Sequence, residues 1–300
     1  MTINVRSNQT PGLTRQDERQ LLGPIHVLCT LNQNYLEHLE VLLVSLYVNN
    51  PGERFVIHLV HREIPDRVLT DLACRVRPFG QELDPIKAPE KLFADAPVSN
   101  RYPVEMYFRL LAHQLLKDSA IPAGRVIYLD PDTLVINPIR PLWEANLQGN
   151  IFAAAAHAVS SDLTEKVNNL RLNTTTSYFN SGVLLIDLAR AEQEISRKDV
   201  FDYVRNHSDV LILPDQDVLN ALFGDRTTEI PELIWNYDAR LFRAYEASTF
   251  GEADEAWVMD HTVILHFCGR AKPWKSRYPF RFGTLYRHYM SLTRRLLGRA

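Results

Sequence analysis

The chain has 300 residues, 46% of them apolar and 23% charged, the balance of an ordinary globular protein long enough for one sizeable core. A formal net charge of −3 excludes the broad basic field of a nucleic-acid binder. Cys29, Cys74 and Cys268 stand far apart, without disulfide or metal-ligand spacing, which suits a reducing compartment and makes the cytoplasm the expected location.

Residues 1–23 are polar, carry Arg6, Arg15, Asp17, Glu18 and Arg19, and have no apolar run. They are expected to form a loose N-terminal arm, not a signal peptide or a membrane span. No later window has the uncharged apolar length of a spanning helix, so any membrane contact would be peripheral. Ordered structure is expected from Ile25-His26-Val27-Leu28-Cys29-Thr30, a short strand ending in the polar turn Asn32-Gln33-Asn34. Leu36, Leu39, Leu43 and Leu46 then recur at helical spacing, predicting a helix over residues 35–48 capped by an asparagine. Asn49-Asn50-Pro51-Gly52 ends it. A strand over 55–60, a helix over 65–76 and a weaker strand over 83–86 continue the βαβα rhythm of a mostly parallel sheet flanked by helices. In such a sheet a nucleotide site is expected at the strands' carboxyl ends. Neither G-x-G-x-x-G after the first strand nor a Walker lysine motif is present, which argues against dinucleotide oxidoreductases and P-loop NTPases.

Residues 87–103, with Pro89, Pro97 and Pro103, read as a long irregular connection of the kind that often binds ligands. A helix is expected over 105–116, carrying Arg109 among Tyr107, Phe108, Leu110 and Leu111, where its guanidinium either pairs with a buried acid or reaches a ligand phosphate. The apolar run Val126-Ile127-Tyr128-Leu129 then ends in Asp130-Pro131-Asp132. In extended chain, alternate side chains share a face, and Pro131 biases Asp130 toward that conformation. The two carboxylates therefore form a hard-cation clamp, although Asp-Pro-Asp also serves simply to stop strands.

The second half adds three polar clusters. Asn180 and Ser181 open the apolar strand Gly182-Val183-Leu184-Leu185-Ile186, where a turn-closing asparagine would suffice. Asp215, in Leu213-Pro214-Asp215-Gln216-Asp217, stands where a helix N-cap is expected. The strand Val263-Ile264-Leu265 runs into His266-Phe267-Cys268-Gly269-Arg270-Ala271-Lys272-Pro273-Trp274, and a lone histidine at such a place is usually core.

Taken in order, Tyr107-Phe108-Arg109-Leu110, Asp130-Pro131-Asp132, Asn180-Ser181-Gly182-Val183, Asp215-Gln216-Asp217 and the closing H-x-x-G-x-x-K-P-W segment resemble family 8 glycosyltransferases. That group includes glycogenins and bacterial galactosyl- and glucosyltransferases of surface polysaccharides. The resemblance covers residues 25–274 and implies a single α/β domain of GT-A type over 24–280, a nucleotide-sugar donor, a divalent cation and retention of anomeric configuration. It implies that Asp130, Asp132 and His266 are metal ligands. Two oxygen ligands with one imidazole favour Mn2+, with Mg2+ the alternative. It places Thr30, Asn32, Asn34, Arg109, Asn180, Ser181, Gly269 and Lys272 around a UDP-sugar donor. Asp215 is assigned to sugar hydroxyls and Gln216 to the anomeric carbon. The chain departs from the family pattern at Asn32, where many relatives have an acid facing the base, and at His157, where relatives often have an aspartate facing the sugar.

The acceptor implied is a glycan, a lipid-linked glycan or a protein. A nucleotide-sugar hydrolase and a non-catalytic sugar-nucleotide or glycan-binding module are the competing readings, and no nucleic-acid partner is expected. Residues 281–300 form a basic amphipathic tail in which Arg287, His288, Arg294, Arg295 and Arg299 alternate with Tyr289, Met290, Leu292, Leu296 and Leu297. Such a helix either packs on the domain with a solvated basic face or anchors the enzyme peripherally at the inner face of an anionic membrane.

Overall fold

A computed structural model describes residues 23–99, 103–157 and 162–298. The expected arm lies outside the described residues except for Gly23, as do residues 100–102 of the irregular connection and the tail's last two positions.

Short apolar strands and amphipathic helices alternate through the first half, as the periodicity demands. Strands β1 (Ile25–Thr30), β2 (Phe55–His61) and β3 (Gln81–Lys87) are parallel and are joined through helices α1 (Leu36–Asn49) and α2 (Asp66–Val76). Strand β4 (Arg125–Leu129) adds in parallel to the other side of β1. The strand order thus reverses between β1 and β4, and this is where an open α/β sheet leaves a crevice at its carboxyl ends. Every residue of β1 is buried, as expected of a strand covered on both faces.

Beyond β4 the sheet departs from the purely parallel pattern. The order is β3-β2-β1-β4-β7-β6-β8, with β6 at Phe152–Ala156, β7 at Phe179–Asp187 and β8 at Thr227–Ile230. β7 runs antiparallel to both neighbours, while β8 returns parallel to β6. Five further helices, α3 (Asp162–Leu172), α4 (Leu188–Glu194), α5 (Arg197–His207), α6 (Pro214–Phe223) and α7 (Phe242–Ser248), accompany this half. A small second sheet joins β5 (Thr133–Val135), β10 (Ile264–His266) and β9 (Tyr237–Asp238) in the order β5-β10-β9.

One face of the large sheet packs Leu28, Tyr128 and Leu184 against Tyr107, Phe108 and Phe201. The other packs Val27, Ile57 and Ile127 against Leu39, Leu43 and Leu72. The helix expected over 105–116 is instead a 3-10 turn, Val104–Tyr107, and a single α turn, Ala112–Leu115. Tyr107, Phe108, Leu110, Leu111 and Ala112 are all buried, so burial on every side overrides the helical period.

After α8 (Glu255–His261), the last helix, α9 (Gly283–Leu296), turns its apolar side inward. Tyr286 meets Phe267 edge-on at 5.0 Å and lies 5.5 Å from Trp274, while Asn49 Nδ2 donates to the Tyr289 hydroxyl at 2.7 Å. Arg287, His288, Arg294 and Arg295 remain exposed. The packed reading of the tail is the one observed, and the apolar side a membrane foot would need is largely used within the protein. No helix among the described residues is long and apolar enough to cross a membrane.

Candidate active site

β4 delivers Asp130 and Asp132 to the switch-point crevice. Asp130 N–H donates to Gly182 O at 2.9 Å, and the Thr133 N–H and hydroxyl donate back to Asp130 O at 3.1 and 2.7 Å, so the Asp-Pro-Asp turn is tied at both ends. The small sheet brings the third member. β10 pairs antiparallel with β5, aligning His266 with Thr133, and Phe267 N–H donates to Asp132 O at 3.0 Å. His266 Nε2 then lies 3.4 Å from Asp132 Oδ1 and 3.8 Å from Asp130 Oδ2. One ligand atom from each of the three residues falls within 4.8 Å of the others. Gly182 makes the space, because a Cβ there would overlap His266 Cε1 and stand 2.7 Å from Asp130 Oδ2. Two carboxylates and an imidazole converging on one point fit a divalent cation with mixed oxygen and nitrogen ligands.

The electrostatics show how these carboxylates coexist. Burial pushes Asp130 above the usual carboxylate range, with Asp132 adding to the rise and Arg109 opposing it. Burial acts on Asp132 in the same sense, but His266 and Lys272 outweigh it and hold this carboxyl well below its ordinary value. Lys272 Nζ pairs with Asp132 Oδ2 and donates to Phe267 O at 3.0 Å. For His266, burial disfavours the charged ring, yet Cys268 and Asp132 drive its pKa upward. A cation would therefore displace a proton from this ring.

Arg109 resolves to the acid-pairing alternative, twice over. Its Nη2 lies 3.0 Å from Asp130 Oδ1 and its Nη1 3.1 Å from Asp215 Oδ2. Nη1 also donates to Ser181 O at 2.9 Å and Ser181 Oγ at 3.1 Å, and the guanidinium lies over the Tyr128 ring at 4.6 Å. The Tyr128 hydroxyl donates to Asp130 Oδ1 at 2.6 Å and is 3.2 Å from Thr30 Oγ1. Thr30, Arg109, Asp130, Ser181 and Asp215 thus form one connected group.

Asp215 is not the expected N-cap. Pro214 opens α6, which puts Leu213 at the cap position without a side-chain bond. The helix-start amides Ile212 N–H and Leu213 N–H go instead to Asp217 Oδ2, at 2.6 and 3.0 Å, and Arg171 and Tyr178 hold the same carboxylate. Asp215 is thereby left to Arg109 and to the Ser181 hydroxyl, 3.3 Å away. Gln216 is buried, and its Nε2 has no hydrogen-bond partner. Asn180 Oδ1 accepts from Gly182 N–H at 2.8 Å and from Asn236 Nδ2 at 2.9 Å. Gly269 has φ +81°, which favours glycine by conformation, and a Cβ there would stand 2.6 Å from the movable end of Arg240, at Nη1.

Asn32 and Asn34 line a cavity of about 300 Å3 shared with Leu31, Gln33, Arg62, Glu63 and Glu105. Asn32 Oδ1 accepts from Asn34 N–H at 3.0 Å, capping the short turn Gln33–Tyr35 rather than α1 itself. His157, at the end of β6, has its Nδ1 2.8 Å from Glu232 Oε1. Sequence reasoning gave no role to Tyr128, Asn236 or Arg240. Tyr128 could have been suspected from the alternation that aligns it with Asp130, but nothing local marks Asn236 or Arg240.

A doubly wound sheet whose switch point carries D-x-D, joined by a histidine from a small second sheet, defines an enzyme of GT-A fold. Residues 26–277 match the model of Glycosyl transferase family 8, and the chain belongs to that family. General stress protein A of Bacillus subtilis is 28% identical over 90% of this chain and 94% of its own length. A lipopolysaccharide 1,2-glucosyltransferase of Escherichia coli is 25% identical over 86% and 74%. The galactosyltransferase LgtC, solved with donor and acceptor sugar analogs, superposes with a TM-score of 0.71 at 22% identity, over 89% of this chain and 96% of that one. The last likeness is one of fold.

Proposed function

We propose that this glycosyltransferase moves a hexose, glucose or galactose, from a UDP-sugar to a glycan, lipid-linked glycan or protein acceptor with retention of configuration, using Mn2+. The observation that carries the reading is the convergence of Asp130, Asp132 and His266 within 4.8 Å, beside Asp215 and the unpartnered Gln216 amide. The glucosyl- and galactosyltransferase names of two similar proteins support the sugar class.

Asp130, Asp132 and His266 would hold the cation. Its contribution when bound is Lewis-acid neutralisation of the departing diphosphate. Lys272 and the turn at Gly269 would receive the phosphates, and Lys272 can leave Asp132 for them once the carboxylate is otherwise neutralised. Thr30, Asn32 and Asn34 lie on the β1 side, where the base would extend, and Asn180 and Ser181 border the sugar. Arg109 keeps Asp130 and Asp215 in fixed relation. Because Asp215 is already ion-paired with Arg109 at 3.1 Å, it suits hydrogen bonding to sugar hydroxyls better than nucleophilic attack. Gln216, a carboxamide, is a poor nucleophile, and its free amide N–H suits stabilising the negative charge that develops on the departing phosphate oxygen.

These assignments favour a front-face reaction. The bond from C1 to the phosphate oxygen breaks with its electron pair going to the diphosphate. The acceptor oxygen bonds C1 from the same side, and its proton passes to the departing phosphate oxygen. A thermal-shift screen of nucleotide sugars with and without Mn2+ tests the reading, because a bound donor raises the melting temperature by mass action. UDP-glucose or UDP-galactose should shift melting only with the cation and be consumed faster when acceptor is added. Consumption independent of every acceptor would favour the hydrolase, and neither shift nor consumption would refute the reading.

A further inference from the structure

Asn236 is buried and follows the single turn Glu232–Trp235, immediately before β9. β9 pairs in parallel with β10, aligning Leu265 with Tyr237 and His266 with Asp238, so Asn236 is carried to the rear of the His266 ring. Its Oδ1 lies 2.8 Å from His266 Nδ1, and its Nδ2 donates to Asn180 Oδ1 at 2.9 Å. The direction of this chain is fixed at its far end. Gly182 N–H, a backbone donor that cannot reverse its role, donates to Asn180 Oδ1 at 2.8 Å. Asn180 must therefore present oxygen, Asn236 must answer with its amide nitrogen, and the remaining Asn236 oxygen can only accept from His266 Nδ1–H.

We infer that Asn236 is a positioning residue which, through the chain Gly182–Asn180–Asn236, keeps the His266 proton on Nδ1 and aims Nε2 at Asp130 and Asp132 as the cation ligand. This rests on the metal site proposed above. An imidazole that is free to rotate or to change tautomer would offer its lone pair on the wrong nitrogen for part of the time, and partners behind a metal-binding histidine remove that loss. Asn180 thereby has a second task besides bordering the sugar. Its carbonyl oxygen is committed to the chain, so its amide nitrogen alone is left for a ligand.

Two measurements on the full-length protein test the inference. The first is 15N-edited NMR of the cation-free enzyme. The His266 Nδ1 proton should be hydrogen-bonded and slow to exchange in the wild type, and fast or absent in Asn236→Leu. The second is Mn2+ titration followed by electron paramagnetic resonance, where Asn236→Leu should bind roughly 10- to 100-fold more weakly. Asn236→Asp keeps an acceptor opposite Nδ1 and should recover the protected proton and most of the affinity, a rescue that loss of packing would not produce. If Asn236→Leu kept wild-type Mn2+ affinity, or if the wild-type Nδ1 proton exchanged freely, the inference would be overturned. A wild-type protein that bound no Mn2+ but kept the protected proton would instead overturn the metal reading, so the two failures are distinguishable.

Discussion

Two clusters of histidine and carboxylate, one within the large sheet and one where the end of β4 meets the small sheet, differ in where their polar atoms point. In the first, His26 Nδ1 lies 2.9 Å from His58 Nε2, His58 Nδ1 lies 2.7 Å from Asp84 Oδ2, and the Ser119 hydroxyl donates to the same oxygen at 2.6 Å. The rings of His26 and His58 stack at 5.2 Å, and Trp143 covers His26 at 5.9 Å. Three neighbouring strands each contribute one member, and His58 faces Asp84 directly in the β2–β3 register. This is a line, in which each group satisfies the next. In the second cluster Asp130, Asp132 and His266 converge on a point, and Arg109 and Lys272 are needed to balance the carboxylates. A line of polar groups closes on itself and serves stability. Groups converging on a point have a common focus that a ligand can share.

The comparison is broken most severely by removing a converging ligand. Asp132→Asn keeps the shape of the turn but gives up one anionic ligand of the cation. Turnover per folded molecule should fall by roughly 10³-fold, on the scale of several kcal/mol of charge stabilisation, and stability should fall as well, because the part-buried Lys272 ammonium loses its anionic partner. Wild-type turnover in this variant, or in excess chelator, would remove Asp132 from the metal set.

Gln216→Ala is next in size. If the buried Nε2 stabilises charge only at the transition state, kcat and kcat/KM should fall together by about 10²-fold with donor KM nearly unchanged. A rise in KM alone would reassign Gln216 to ground-state binding. In the linear cluster the corresponding cut is Asp84→Ala, which leaves His58 Nδ1 and the Ser119 hydroxyl without their shared acceptor. Denaturant unfolding should register a loss of roughly 2 kcal/mol, with kcat per folded molecule preserved. Lost activity at unchanged stability would show that the two clusters communicate.

What the sequence could reveal of these clusters follows their range along the chain. Asp130 and Asp132 were legible as a pair of acids closing an apolar strand run, but not by alternation, since β4 ends at Leu129 and the two stand in a turn closed by Thr133 N–H on Asp130 O; the order of the later clusters made the family recognisable. The mostly parallel sheet was readable from its βαβα rhythm, but the antiparallel insertion of β7 was not, since a buried apolar strand reads alike in either direction. The cap moved from Asp215 to Leu213 because Pro214, suited to the first helical position, starts α6 two residues earlier than the aspartate alone suggested, and Asp217 reaches back from inside the helix to the Ile212 and Leu213 amides. Arg109 was ambiguous because its acids, Asp130 and Asp215, arrive from β4 and α6. Asn236 was illegible for the same reason, since only the pairing of β9 with β10 brings it to His266.

The remaining expected effect is a pH dependence of stability to which the linear cluster contributes. Burial, reinforced by the neighbouring His58, pushes His26 down to about 4 from 6.5. Burial likewise lowers His113, outside the cluster, to about 4. Both folded-state values lie below the unfolded one, so between pH 6.5 and 4 the unfolded chain binds more protons than the native one. Stability should therefore be full above about pH 6.5, fall as pH drops through this window and level off below about 4, with a slope of at most about 1.4 kcal/mol per pH unit for each ring. Urea unfolding at pH 7 and pH 5 would measure the fall. His26→Gln cannot take up a proton, so it should reduce the slope and leave the remainder to His113 and to His38 and His61, which burial also lowers. Equal stability at the two pH values in the wild type would show that protonation of these rings is accommodated in the fold. An undiminished slope in His26→Gln would place the sensitivity outside the line of His26, His58 and Asp84.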